Sequence, residues 1–145
     1  MENKHTDRKR TENGTMESKK TILIVDDNDE IVELVKCMLA MQGYETIDGC
    51  SGEDALYLNE RYPFDIHLLL TDIRMSPNMN GCDLAHAMRI IRPGIKVIYM
   101  SAFTDDERVG EEVAGGQAQF LRKPFSQKEL LRVVDALLTA AAARY

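Results

Sequence analysis

From Thr21 onward the chain alternates short apolar runs with amphipathic stretches. Thr21-Ile22-Leu23-Ile24-Val25 is an unbroken apolar run stopped by Asp26-Asp27, the pattern of a strand buried on both faces. Ile31, Leu34, Val35, Met38 and Leu39 then recur at i, i+3, i+4, i+7 and i+8, one face of a helix. Gly43 is placed to stop it. Glu45–Cys50 is a weaker strand, and Ser51 with Asp54 resembles a capping box that opens the next helix. Ile66-His67-Leu68-Leu69-Leu70 is a buried strand ending at Thr71-Asp72. A loop runs to Gly81, and a helix follows with Leu84, Met88 and Ile91 on one face, closed by Pro93-Gly94. Lys96–Met100 is the fourth strand and ends at Ser101. Thr104 and Glu107 predict another capped helix, weakened by Gly110, Gly115 and Gly116. Ala118–Leu121 is the fifth strand, ending at Arg122-Lys123-Pro124. Ser126 and Glu129 cap a last helix that carries Leu130, Val133, Val134, Leu137 and Leu138.

Strands that read as continuous apolar runs, alternating with helices, predict an α/β fold with a five-stranded parallel sheet covered on both faces. Residues 1–20 lack periodicity and read as a flexible polar tail or linker. The 145 residues are enough for one domain of ordinary size. Charge changes the picture further. The chain is −6 overall, but residues 1–20 are +2, so the remainder is −8. A globular part that acidic is a poor grip for a phosphate backbone, which argues against direct nucleic-acid binding. The apolar runs are too short to insert in a membrane, and the first residues have no signal-peptide core. Cys37, Cys50 and Cys82 are odd in number, far apart and without C-x-x-C spacing, as expected of reduced thiols in a cytosolic protein.

A parallel sheet places every strand's carboxyl end on one edge, where ligands bind. The residues that follow four of the five predicted strands are Asp26-Asp27, Asp72, Ser101 and Lys123. Three carboxylates, a hydroxyl and an ammonium therefore converge on one rim. Clustered carboxylates repel one another and favour a hard divalent cation, magnesium above all. Lysine pairs with phosphate, serine donates to a phosphoryl oxygen, and a carboxylate can attack phosphorus to give an acyl phosphate. Taken one at a time these residues have plainer readings, as a helix-dipole charge pair, a strand-end hydroxyl and a solvated lysine. His5, His67 and His86 lack metal spacing, and His67 is expected to pack within its strand. Met75 and Met79 read as loop packing, and Glu111-Glu112 as a solvated helix face.

The motifs Ile-Leu-Ile-Val-Asp26-Asp27-Asn28, Leu-Leu-Leu-Thr-Asp72-Ile-Arg-Met, Val-Ile-Tyr-Met-Ser101-Ala102 and Phe120-Leu-Arg-Lys123-Pro124-Phe125 resemble the receiver domain of two-component response regulators. The resemblance covers about residues 21–140, with five dispersed positions in the right order. It implies a flavodoxin-like receiver fold with strand order 2-1-3-4-5. It also implies a receiver domain over residues 21–143 with no output domain after it. Asp72 is then the phosphoacceptor, and Asp26, Asp27, Asp72 and the Arg74 backbone carbonyl hold Mg2+. Lys123 pairs with the phosphoryl group, Ser101 is the switch hydroxyl, Phe120 is the switch aromatic, and the Lys123–Pro124 peptide is cis. The implied donor is a sensor histidine kinase or a histidine phosphotransfer protein. The implied recipient is a downstream protein of unknown identity, with a weak homodimer as a further option. The implied protein catalyses only its own phosphorylation and dephosphorylation, and is otherwise not an enzyme. In the family a proline usually stands four residues after the phosphoacceptor. Here Ser76 holds that place, Pro77 comes next, and the Arg74–Gly81 loop carries one extra residue. Two rival readings are a phosphate-independent docking module and an aspartyl-phosphate phosphatase. The latter fits poorly, because Asp26-Asp27-Asn28 lacks two aspartates separated by one residue.

Overall fold

The computed structural model describes residues 8–10, 16–75, 79–102 and 106–139. Its main sheet is built from β3 (Thr21–Val25), β4 (Glu45–Gly49), β5 (Leu68–Asp72), β6 (Lys96–Ser101) and β7 (Gln119–Arg122). These strands are all parallel and lie in the order β4-β3-β5-β6-β7, which is 2-1-3-4-5 in the strand count read from sequence. The helices α1 (Asp29–Met41), α2 (Gly52–Arg61), α3 (Gly81–Ile91), α4 (Glu107–Ala114) and α5 (Gln127–Thr139) connect and cover them. Ahead of this sheet, β1 (Arg8–Arg10) pairs antiparallel with β2 (Met16–Ser18), where the sequence pattern gives no strand. No helix among the described residues is long and apolar enough to cross a membrane.

Side chains alternate across the strands, so each central strand feeds two cores. Leu23, Val25, Leu69, Val97 and Tyr99 pack under α2, α3 and α4. Ile22, Ile24, Leu68, Leu70, Ile98 and Met100 pack under α1 and α5. Both faces are dry, which is why β3 and β5 read as uninterrupted apolar runs. On the second face the Tyr44 hydroxyl donates to Asp135, tying the start of β4 to α5.

The helix starts follow capping chemistry. Asn28 accepts the Glu30 and Ile31 N–H groups at the start of α1. Ser51 accepts the Asp54 N–H at 3.0 Å, while the Asp54 carboxylate takes the Cys50 N–H at 3.0 Å, one residue earlier than a reciprocal box requires. Asn80 with Asp83, and Ser126 with Glu129, make full reciprocal boxes. The N-cap of α4 is Asp106, whose carboxylate accepts the Val109 N–H at 3.1 Å. Thr104 lies outside the described residues, as do Ser76 and Pro77 of the longer loop. Cys37 and Cys50 are exposed and Cys82 is buried, all as free thiols.

Two residues, His67 and Glu112, have a different place from the one the pattern suggests, and a third, Arg92, has one the pattern does not indicate. His67 precedes β5 instead of packing inside it, and its Nδ1 accepts the Thr21 N–H at 3.0 Å. That bond requires a neutral ring nitrogen, and burial with Lys20 nearby lowers the His67 pKa below its ordinary 6.5. The folded state thus binds this proton less readily than the unfolded one. The stabilisation is present above pH 6.5 and is lost as the pH falls below it. His67→Asn keeps an acceptor without the titration. Its urea midpoint should therefore fall less than the parent's between pH 7.5 and pH 5.5, and equal falls would refute this.

Arg92, which caps the end of α3, reaches across to α2 and the segment after it. Its guanidinium donates to Asn59 Oδ1 at 2.5 Å and to the carbonyls of Asn59, Tyr62 and Phe64 at 3.0, 3.1 and 3.0 Å. Arg92→Met should cost about 2–3 kcal/mol, because charged hydrogen bonds are lost and carbonyls near buried Asn59 lose their donor. A urea midpoint unchanged from the parent's would refute the clamp. Glu112 belongs to a network described below.

Candidate functional site

The topology brings the predicted rim together because β3, β5, β6 and β7 are consecutive neighbours. Asp26 follows β3 directly, Asp72 is the last residue of β5, Ser101 is the last of β6, and Lys123 follows β7. Register fixes their level, with Asp72 beside Met100 and Ser101 beside Arg122. The Lys123 N–H donates to the Ser101 carbonyl at 2.9 Å, and the Ile73 N–H donates to the Met100 carbonyl at 3.2 Å. The Lys123–Pro124 peptide bond is cis.

Burial grades the three carboxylates. Asp26 is 1% exposed and Asp72 8%, whereas Asp27 faces solvent. Ligand oxygens of all three lie within 4.8 Å of one another. Lys123 Nζ donates to Asp26 Oδ2 at 2.8 Å and stands 3.4 Å from Asp72 Oδ1. Asp26 Oδ1 accepts the Asn28 N–H at 2.9 Å, so the same asparagine caps α1 and steadies the most buried carboxylate. Asp72 Oδ1 accepts the Ile73 N–H at 3.0 Å.

One ammonium among three carboxylates leaves an excess of negative charge. Burial, and then the Asp26 charge, push the Asp72 carboxyl up to about 6, with Lys123 partly offsetting them. Burial works against the Lys123 charge, but its hydrogen bond to Asp26 and the charges of Asp72 and Asp26 raise its pKa above the usual value. A hard divalent cation relieves this repulsion, and an all-oxygen donor set suits Mg2+. The fit is therefore good for Asp26, Asp27 and Asp72. Arg74 lies exposed in the bend two residues after Asp72.

Ser101 is 3% exposed at the sheet edge. Half-buried Phe120 on β7 lines an apolar cavity of about 280 Å3 beside Ile73, Val109 and Val113. Gly81 explains itself only in three dimensions: a Cβ there would sit 2.3 Å from the Asp72 carbonyl oxygen. Sequence reasoning missed Asn28 as a support for Asp26, although its place directly after the acid pair was a usable signal.

The family profile for the response regulator receiver domain matches residues 22–135. The response regulator SaeR of Staphylococcus aureus (strain N315) is 32% identical over 118 residues, covering 81% of this chain and 50% of the relative. The chain thus spans about half the length of the curated relatives it matches. Among solved structures, a CheY-like response regulator receiver domain protein from Methanospirillum hungatei JF-1 is similar at TM-score 0.78 and 28% identity. That match covers 88% of this chain and 100% of the other. The receiver domain of the hybrid histidine kinase CckA is similar at TM-score 0.69 and 28% identity, covering 81% of this chain and 98% of that one.

Proposed function

Because this chain belongs to the response regulator receiver domain family of two-component signalling, we propose that Asp72 is its phosphoacceptor and that the domain is a phosphorylation-operated switch. The observation that carries this reading is the position of Lys123, held between Asp26 and Asp72 at the sheet edge. A cation placed there can follow charge as it develops on a transferring phosphoryl group.

In this reading a phosphohistidine on a sensor kinase or a phosphotransfer protein donates to Asp72. The Asp72 carboxylate attacks in its ionised form, which in the metal-free domain prevails above about pH 6. Asp26, Asp27, Asp72 and the Arg74 carbonyl would hold Mg2+, which would supply charge neutralisation on the phosphoryl oxygens. Lys123 gives a second positive charge, and Asn28 keeps Asp26 oriented. Ser101 then donates to a phosphoryl oxygen. Phe120 turns into the cavity beside it, and the face formed by α4, β7 and α5 changes shape for a downstream protein. The chain catalyses only its own phosphorylation and dephosphorylation.

The test is intact mass after incubation with acetyl phosphate, with and without Mg2+, for the parent and for Asp72→Asn. A magnesium-dependent gain of one phosphoryl group in the parent, absent from the variant, is the expected result. A parent that gains nothing would overturn the reading in favour of a phosphate-independent docking module.

A further inference from the structure

A polar network outside the rim joins α3, β6 and α4. Tyr99 lies on β6 two residues before Ser101, on the same sheet face, with its side chain fully buried. Its hydroxyl donates to Glu112 Oε1 at 2.8 Å, and Arg89 of α3 donates to the same oxygen at 2.9 Å. Arg89 also donates to the carbonyl of Gln117, just past the end of α4, at 3.2 Å. The Arg89 and Glu112 side chains are only 26% and 18% exposed, so Glu112 is no solvated helix face. Burial, followed by the Glu112 contact, raises the Tyr99 pKa far above its usual value, so the phenol remains a donor.

The apolar side of α4 is held much less firmly. The helix has 8 residues, and Val109 is its buried one. Beneath it lies the cavity of about 280 Å3 that Phe120 helps to line. A Cβ added at Gly110 would meet nothing within 4 Å. A short helix with empty space on its apolar side and a fixed carboxylate on its polar side has room for a second position. Phe120 forms a wall of the cavity without filling it, which marks the observed position of α4 as the resting one.

We infer that Tyr99, Glu112 and Arg89 are positioning residues that latch α4 in the resting state, so that releasing Glu112 favours the phosphoryl-bound state of the switch. The trigger in this inference rests on the phosphoacceptor reading of Asp72, whereas the latch itself does not. Any change that weakens the resting state raises the affinity of a ligand that prefers the other, by an amount equal to the coupling between them.

Tyr99→Phe removes the hydroxyl and keeps the ring. Two measurements on the full chain test the inference. In calorimetric titration with Mg2+ and beryllofluoride, a non-covalent phosphoryl mimic, the variant is expected to bind about threefold to tenfold tighter than the parent. A merely structural role for the hydroxyl lowers the melting temperature and leaves this affinity equal or weaker, and that result would overturn the coupling. The second measurement is amide hydrogen exchange without Mg2+. The Val113 and Ala114 amides of α4 should exchange about threefold to tenfold faster in the variant, with the α1 amides unchanged. Unaltered α4 exchange overturns the latch whatever the titration gives. If the parent itself binds no beryllofluoride, the phosphoacceptor reading fails and exchange alone decides the latch. Arg89→Gln, at a less buried position, repeats both measurements should Tyr99→Phe fold poorly.

Discussion

Replacing Gly81 by alanine is expected to cost about 3 kcal/mol and to lower the melting temperature by on the order of 10 °C. Gly81 opens α3, and its N–H donates to the Ile73 carbonyl at 2.8 Å, so the helix starts pressed against the backbone that follows β5. An added Cβ would lie 2.3 Å from the Asp72 carbonyl oxygen and 3.1 Å from the Ile73 Cα. Both neighbours are main chain, so no side chain can turn away to make room. Either α3 shifts or the Asp72–Ile73 peptide does. The second outcome moves the carboxylate that Lys123 and the Ile73 N–H now hold. A second effect follows. Material that still folds should label from acetyl phosphate at least about tenfold more slowly, since displacements near 1 Å are costly to a positioned nucleophile. Thermal melts followed by circular dichroism, with initial labelling rates by intact mass, check both. A melting point within about 2 °C of the parent and an equal labelling rate would show that the close approach is unimportant.

Asp72→Asn should act in the opposite sense on stability while abolishing phosphoryl gain. In the folded protein the Asp72 carboxyl titrates at about 6 instead of its ordinary 3.8. Between those values the folded state binds this proton more readily than the unfolded one. The contribution to stability is complete below pH 3.8 and is lost as the pH rises through about 6. The full shift corresponds to about 3 kcal/mol, which exposure of the rim to water reduces to about 1–2 kcal/mol. Asparagine removes the repulsion with Asp26 and retains an oxygen for the Ile73 N–H. In EDTA at pH 7.5 the variant should therefore melt about 5 °C above the parent, with the gap closing at pH 4. Added Mg2+ should raise the parent's melting point more than the variant's, because it binds the folded cluster. A gap of the same size at both pH values would mean that the carboxylate is not strained by its surroundings. That repulsion, concentrated at Asp72, is the part of the cluster's cost that the substitution removes.

Much of the architecture was legible because burial on both faces removes polar interruptions from the strands. Thr21–Val25 and the run through Leu70 could hardly be anything else. The rim was legible for the same reason, since Asp26, Asp72, Ser101 and Lys123 stand where apolar runs stop and all parallel strands end on one side. The unread parts depend on partners distant in the chain. Glu112 looks solvated beside Glu111 until the fold places Tyr99 and Arg89 against it. Arg92 carries no signal in the sequence, because its partners are carbonyls of the distant segment from Asn59 to Phe64. His67 extends an apolar run, yet its ring serves the first backbone amide of β3. Gly81 could be noticed as a glycine, but its near-contact with Asp72 follows only from how α3 docks.

The order in which the site's charges are supplied has a consequence for biosynthesis. The buried acid Asp26 and its neighbour Asp72 come from the first half of the chain, while their shared cation, Lys123, comes with the last strand. A nascent chain therefore carries both acids of the pair before it carries the lysine that sits between them in the folded domain. Domains generally fold as units during synthesis. Here the electrostatics reinforce that rule, because the neighbouring Asp26 and Asp72 carboxylates have no ammonium between them until Lys123 joins the sheet edge.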